Sequence, residues 1–316
     1  MGLSDGRPGA ASTRWVGPLY AVLGVLGFSF KAILIKLAYA WHPIDAVTLL
    51  ALRMIFSAPF FVAIAWWATR GDAPPLGRRD WIAVLWLGVI GYYLASLLDF
   101  MGLQYITAAL ERLVLFLYPT MVVLLSAVWL GKPVTRRALA ALVLSYGGIV
   151  LVFLHDLRVG GDARALWTGG ALVFGSAFLY AVYLVGAGGV IARVGSARFT
   201  SFAMLVSTAF VLAQFALTRS AATLDVPYAI YGISLAMAVF STVLPTWLVA
   251  EAIRRIGANA SSLVGSLGPL FTIGLGAVIL GEPVHAIQLA GAALVLAGVT
   301  LVTLRPQPAA VPPGSD

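Results

Sequence analysis

Ten continuous apolar runs, each long enough to cross a bilayer, dominate this chain of 316 residues. They fall at 18–39, 44–67, 81–102, 107–129, 135–154, 167–187, 199–218, 228–250, 257–280 and 284–304, separated by Pro, Gly or charged clusters. A helix of about 20 residues spans a hydrocarbon core of about 30 Å. The runs are unbroken rather than alternating and are about twice the length of a barrel strand, so they are read as helices. With 61% apolar and 10% charged residues there is too little polar surface for a soluble globule of this length. The expected class is therefore an all-α membrane protein with ten transmembrane helices.

The net charge of +8 does not point to nucleic acid. The bases lie in short clusters between the runs rather than on one face interleaved with aromatics. They serve orientation instead. With the N-terminus inside, thirteen Lys and Arg residues fall in cytoplasmic segments, and only Arg158, Arg164 and Arg219 fall in outer loops. That bias predicts cytoplasmic termini. Residues 1–17 and 305–316, polar and rich in Pro and Gly, are expected to be disordered. Ala38-Tyr39-Ala40 formally fits a signal-peptidase site, but the run before it is long and carries Lys31 and Lys36, so it reads as a retained span. There is no cysteine, which excludes disulfides and thiol chemistry, and no cofactor or metal site is expected.

Two turns show how the ten spans are organised. "WLGKPVTRRALA" at 129–140 and "ILGEPVHAIQLA" at 279–290 share a Gly-x-Pro-Val core, but Lys132, Arg136 and Arg137 of the first become Glu282, Ala286 and Ile287 in the second. Shifting the chain by 150 residues aligns 102–154 with 252–304 without a gap and superposes Pro119 on Pro269 and Gly131 on Gly281. Two repeats of five spans follow, at 18–154 and 167–304. An odd number of spans leaves the second copy inverted in the membrane, as in many secondary transporters. The charge swap at matched turns is what opposite orientation of one unit requires, and the preceding loop swaps the other way, from Gln104-Tyr105 to Arg254-Arg255.

The residues at this point resemble a known family. "GFSFKAILIKLAY" at 27–39, "ALERLVLFLYPTMVVLLSAVWLGKPV" at 109–134 and its partner "NASSLVGSLGPLFTIGLGAVILGEPV" at 259–284 are similar to the drug/metabolite transporter superfamily in its EamA-type branch. The resemblance covers about residues 18 to 304. It implies a bacterial inner-membrane carrier, often an exporter of amino acids or other small metabolites, with a central cavity between the halves. It implies no particular substrate and no individual site residue.

The intramembrane ionisable residues mark the candidate site, because a charge in a span costs a few kcal/mol and usually faces a cavity or a partner. Lys31, Lys36, Arg53, Asp99, Glu111 and Arg112 all belong to the first copy, and their second-copy equivalents are neutral. Lys31 is too deep to snorkel and is expected in the cavity or in an ion pair. Asp99 and Glu111, at one level near the outer ends of their spans, either form a proton-coupled gate, with protons as the coupling ion, or sit in interfacial water or pair locally with bases. Lys36 is expected to anchor at the surface, Arg112 to snorkel, and Arg53 either to act in the site or to pair with Asp45 or another carboxylate.

Pro119 and Pro269 mark the centre of the repeat. Around them Tyr92, Ser96, Tyr118, Ser241, Trp247, Asn259 and Ser266 are the remaining cavity candidates for a small-molecule substrate. Trp15, Trp41, Trp81, Trp129 and Trp167 fall at span ends, where interfacial belts form. Paired glycines such as Gly147-Gly148 and Gly274 and Gly276 are expected at close helix contacts. An intramembrane enzyme is disfavoured, since His42, His155 and His285 fall at loops and neither H-E-x-x-H nor G-x-S-x-G occurs. A channel or a translocator of lipid-like solutes is the remaining alternative to a secondary carrier. The oligomeric state is left open.

Overall fold

The computed structural model describes residues 10–70, 75–131, 133–159 and 162–303. Lys132, the first nine residues and the tail from 304 lie outside them, so the expectations placed there are not addressed. Among the described residues ten helices are long and apolar enough to cross a membrane: α1 (Ala10–Trp41), α2 (Ala46–Thr69), α3 (Arg78–Gly102), α4 (Ala108–Leu130), α5 (Arg136–Val159), α6 (Ala163–Val194), α7 (Ser196–Thr218), α8 (Tyr228–Gly257), α9 (Ala260–Leu280) and α10 (Ala286–Thr303). The described residues contain no strand. Helix α1 starts at Ala10 rather than 18, because Ala10–Arg14 contain no proline or glycine and Pro18 is accommodated inside it. Helix α5 runs on to Val159, which places His155 in a helix rather than a loop.

Most helix irregularities recur in both halves, one exception being a π-turn at Gly276–Leu280 of α9 that α4 lacks. A π-turn at Val89–Leu94 interrupts α3, and another at Val239–Val243 interrupts α8, 150 positions on. Helix α4 breaks at Phe116–Leu117 and resumes at Tyr118; α9 breaks at Ser266–Leu267 and resumes at Gly268. Pro119 and Pro269 sit in the first turn of the resumed helices, where a missing N–H costs nothing. Both helices end on a left-handed glycine, Gly131 at φ 63° and Gly281 at φ 68°. Only glycine adopts that conformation without a Cβ penalty.

Consecutive helices are joined by short turns, so the bundle has an N-terminal face, where α1 begins and α10 ends, and an opposite face. Packing across the halves is reciprocal. Helix α5 packs on its equivalent α10, α2 on its equivalent α7, α1 on α8, and α3 on α6. Gly24 meets Val249 where α1 crosses α8, and Gly175 meets Leu98 at the matching point between α6 and α3. Equivalent helices run antiparallel. Gly148 approaches Gly291 while Ser145 approaches Gly298, and Met54 meets Thr208 while Asp45 meets Arg219. A Cβ on Gly148 would stand 2.7 Å from the Gly291 carbonyl oxygen, so this crossing requires glycine. Gly147 and Gly274 make no such contact and face open space.

The surface is apolar where a soluble protein would be polar. Val128, Leu217 and Val278 are at least 79% exposed, and Trp15, Trp41, Trp81, Trp129 and Trp167 all project outward near helix ends. A lipid-facing exterior accounts for this distribution, and the chain is an integral membrane protein.

Candidate functional site

A cavity of about 590 Å³ lies between the two halves. Its wall descends from Lys31, Arg53 and Asp99, toward the opposite face, to Ile253, Ser261 and Thr303 beside the N-terminal face. Both π-turns contribute, through Gly91 and Tyr92 of α3 and Ser241 and Thr242 of α8. The wide turns rotate the following residues inward, which is how two otherwise apolar helices present polar groups at mid-membrane. Ser176 Oγ donates to the Ala95 carbonyl at 2.7 Å just after the first of them. Aromatic rings form one side: Tyr118 and Tyr180 have centroids 5.1 Å apart, and Tyr180 stacks on Tyr183 at 5.6 Å.

The charged groups converge at the closed end. Lys31 Nζ donates to Asp99 Oδ2 at 2.6 Å and stands 3.7 Å from Glu111 Oε1, joining α1, α3 and α4. Asp99 and Glu111 are buried, and neither Oδ1 of Asp99 nor either oxygen of Glu111 has a hydrogen-bond partner among the described residues. The Arg53 guanidinium lies over the Phe100 ring at 5.5 Å and lines the cavity. It does not pair with Asp45, which is held by Arg219 at 2.9 Å instead.

Above this cluster the opposite face is closed by cross-links. Tyr39 Oη donates to the Phe100 carbonyl at 2.8 Å, and Lys36 Nζ to the Ile106 carbonyl at 3.0 Å, an anchoring role. Glu282, in the turn after α9, accepts from the Ala108 and Ala109 amides at 2.9 and 3.4 Å. It therefore caps α4 from the other half of the chain. Asp45 caps α2, accepting from the Val47 and Thr48 amides, and the Arg219 bridge ties that end to α7. Burial alone would raise the Asp45 carboxyl, but hydrogen bonds from Thr48 and Arg219 and the charge of Arg219 outweigh it and hold it below the usual carboxylate range.

Of the residues singled out in the sequence, Lys31, Tyr92, Ser96, Asp99, Tyr118, Pro119, Ser241 and Ser266 line the cavity. Glu111 reaches it through Lys31. Trp247 does not: it is 55% exposed and packs on Tyr20 at the outside of the α1–α8 pair, because the helix after the π-turn directs Thr246 inward and Trp247 outward. Pro269 is buried between helices but is not part of the wall. The Asn259 side chain lies outside the described residues. Arg112 does not snorkel. It is 8% exposed and lines the cavity, since the break in α4 leaves room against the glycine backbone of Gly268. Arg53 and Arg112 were the wall cations least legible in the sequence; their intramembrane position was the available signal.

Comparison with known proteins gives a consistent picture. An EamA-like transporter family model matches residues 15–154 and again 167–304. The chain is 31% identical over 291 residues to the uncharacterized transporter YcbK of Bacillus subtilis, covering 87% of this chain and 88% of that one. It is 27% identical over 239 residues to a probable terminal-alkyne amino-acid exporter of Streptantibioticus cattleyicolor, covering 74% and 78%. A solved crystal structure shares the fold, with a TM-score of 0.61 at 19% identity over 90% of this chain and 95% of that one. Two five-helix halves around a cavity that carries buried charged groups, within an apolar exterior, together with family-model matches to residues 15–154 and 167–304, make this chain a member of the EamA-like transporter family.

Proposed function

We propose that this protein is a secondary carrier that exports a small zwitterionic or anionic metabolite, such as an amino acid, across a bacterial inner membrane by alternating access. The observation that carries the reading is the cavity itself: it lies on the seam between the halves, reaches the N-terminal face, and is sealed from the opposite face by contacts that cross between the halves. The antiparallel pairing of equivalent helices supports an inverted relation between the two halves. Halves so related can exchange conformations, and that exchange moves the opening from one face to the other. With the basic loops inside, the N-terminal face is cytoplasmic and the conformation described is open inward.

The two carboxylates at the closed end are the proposed proton site. Lys31 satisfies Asp99 closely and Glu111 only at a distance, so a proton taken up by the pair compensates the second buried charge. The relative named as an amino-acid exporter supports the choice of cargo class. Reconstitution in proteoliposomes tests the whole reading. Saturable counterflow of a labelled amino acid from a screened panel is the expected result. Ion conductance without counterflow would favour the channel alternative.

A further inference from the structure

We infer that Arg112, facing the break in α9, is the seat for a carboxylate group of the cargo. This rests on the transporter reading above and names the chemistry that the cavity recognises.

Among the cations of the wall, Arg112 alone is held between the two halves. Lys31 is committed to Asp99 at 2.6 Å, and Arg53 lies over Phe100 within the first half. The Arg112 guanidinium is pressed against the second half: a Cβ built on Gly268 would stand 3.3 Å from its Nη2. It has no carboxylate within 4.0 Å among the described residues, and its Nε has no hydrogen-bond partner although the residue is 8% exposed. Among the described residues the Phe116 ring lies 5.8 Å from it, and Glu111 acts on it only through space. A buried guanidinium with unused donors is costly unless an anion completes it.

Its neighbour on the other side sharpens the argument. Helix α9 resumes at Gly268, so the positive end of a helix dipole begins where the guanidinium rests. No carboxylate pairs with the guanidinium among the described residues, although Glu111 acts on it through space, and a cargo anion between guanidinium and helix start would neutralise both. Five residues before the break and toward the N-terminal face, Ser261 Oγ is buried on the same cavity wall and lacks a partner among the described residues. A guanidinium fork beside a helix start matches a carboxylate. Position adds a consequence: a cargo carboxylate at this point would touch α4 of one half and α9 of the other, so binding would report directly on the seam that moves.

Three probes sharing one phenethyl body separate the charges: L-phenylalanine, 3-phenylpropionate, which lacks the amine, and phenethylamine, which lacks the carboxylate. Binding is read on the purified full chain in nanodiscs by thermal shift and fluorescence titration. The two acids are expected to bind and phenethylamine to fail. Arg112→Gln should weaken the acids about 10- to 100-fold, in line with a buried charge-assisted pair, and Arg112→Lys should restore part of the loss. Gly268→Ala keeps every charge but crowds Nη2, so it should also weaken acid binding and serves if Arg112→Gln misfolds. Acids that bind Arg112→Gln as well as the parent, phenethylamine that binds as well as the acids, or no binding of either acid would each overturn the inference. Proteoliposome flux separates this from the carrier reading. Arg112-dependent acid binding without flux leaves the seat standing and removes the carrier. Saturable counterflow of phenethylamine insensitive to Arg112 keeps the carrier and removes the seat.

Discussion

Lys31 and Asp99 are 68 residues apart in sequence and 2.6 Å apart in space, and their ion pair forms the closed end of the cavity. Breaking a buried pair by removing one partner costs more than removing both, because the survivor keeps an uncompensated charge. Lys31→Met should therefore lower stability by about 3 kcal/mol, since it leaves Asp99 and Glu111 both without their cation. The double variant Lys31→Met with Asp99→Asn should recover part of that loss. Melting of the purified protein in detergent measures both, and equal losses in single and double variants would refute the pairing as a source of stability.

Glu111 shares its cluster with Lys31 on α1, Asp99 on α3 and Arg112 beside it on α4. If the pair of carboxylates carries the coupling proton, Glu111→Gln and Asp99→Asn should each abolish acceleration by a pH gradient while counterflow persists. Uptake into vesicles with and without an imposed gradient decides it. Gradient dependence that survives in both variants would remove the proposed coupling.

Glu282 caps α4 across the seam, so its loss should loosen the opposite face. Glu282→Ala should cost about 1 kcal/mol, the usual value of a helix cap, and Glu282→Gln, which keeps an acceptor, should cost less. Because the chain has no cysteine, Ser96→Cys provides a single thiol on the cavity wall. A membrane-impermeant thiol reagent added from the opposite face should reach it faster when Glu282 is Ala than in the parent.

Asp45 supplies the pH dependence expected outside the membrane. Its folded carboxyl titrates below the ordinary range, so its contribution is fully present above the unfolded value of roughly 3.9 and is lost as pH falls through the lower folded value. Asp45→Asn should flatten the acid end of the stability profile, and Arg219→Gln should do so in part. Both residues are about one-third exposed, so the effect should shrink in high salt.

The orientation proposed for the halves is open to a direct test. Single cysteines placed at 132 and 282 occupy matched turns of the two copies. In intact cells an impermeant reagent should label 282 and leave 132 untouched, and labelling of both from one side would exclude inversion.

The sequence by itself determined the number of spans, because hydrocarbon thickness and helix rise set a length that composition reveals without any tertiary contact. It also determined the repeat, since Pro119, Pro269, Gly131 and Gly281 occupy positions that only those residue types fill well. The intramembrane charges were visible for the same reason: a bilayer makes every ionisable residue conspicuous. What the sequence left undecided was direction around each helix axis. Asp99 and Glu111 meet at Lys31, and Arg112 turns into the cavity rather than toward the surface, because helix crossings, π-turns and breaks rotate each face relative to an ideal helix. Trp247 shows the other side of that rule: it adjoins Thr246 of the cavity wall yet projects outward beside Tyr20. A side chain's depth is a property of the chain, whereas the face it presents depends on how the neighbouring helices pack.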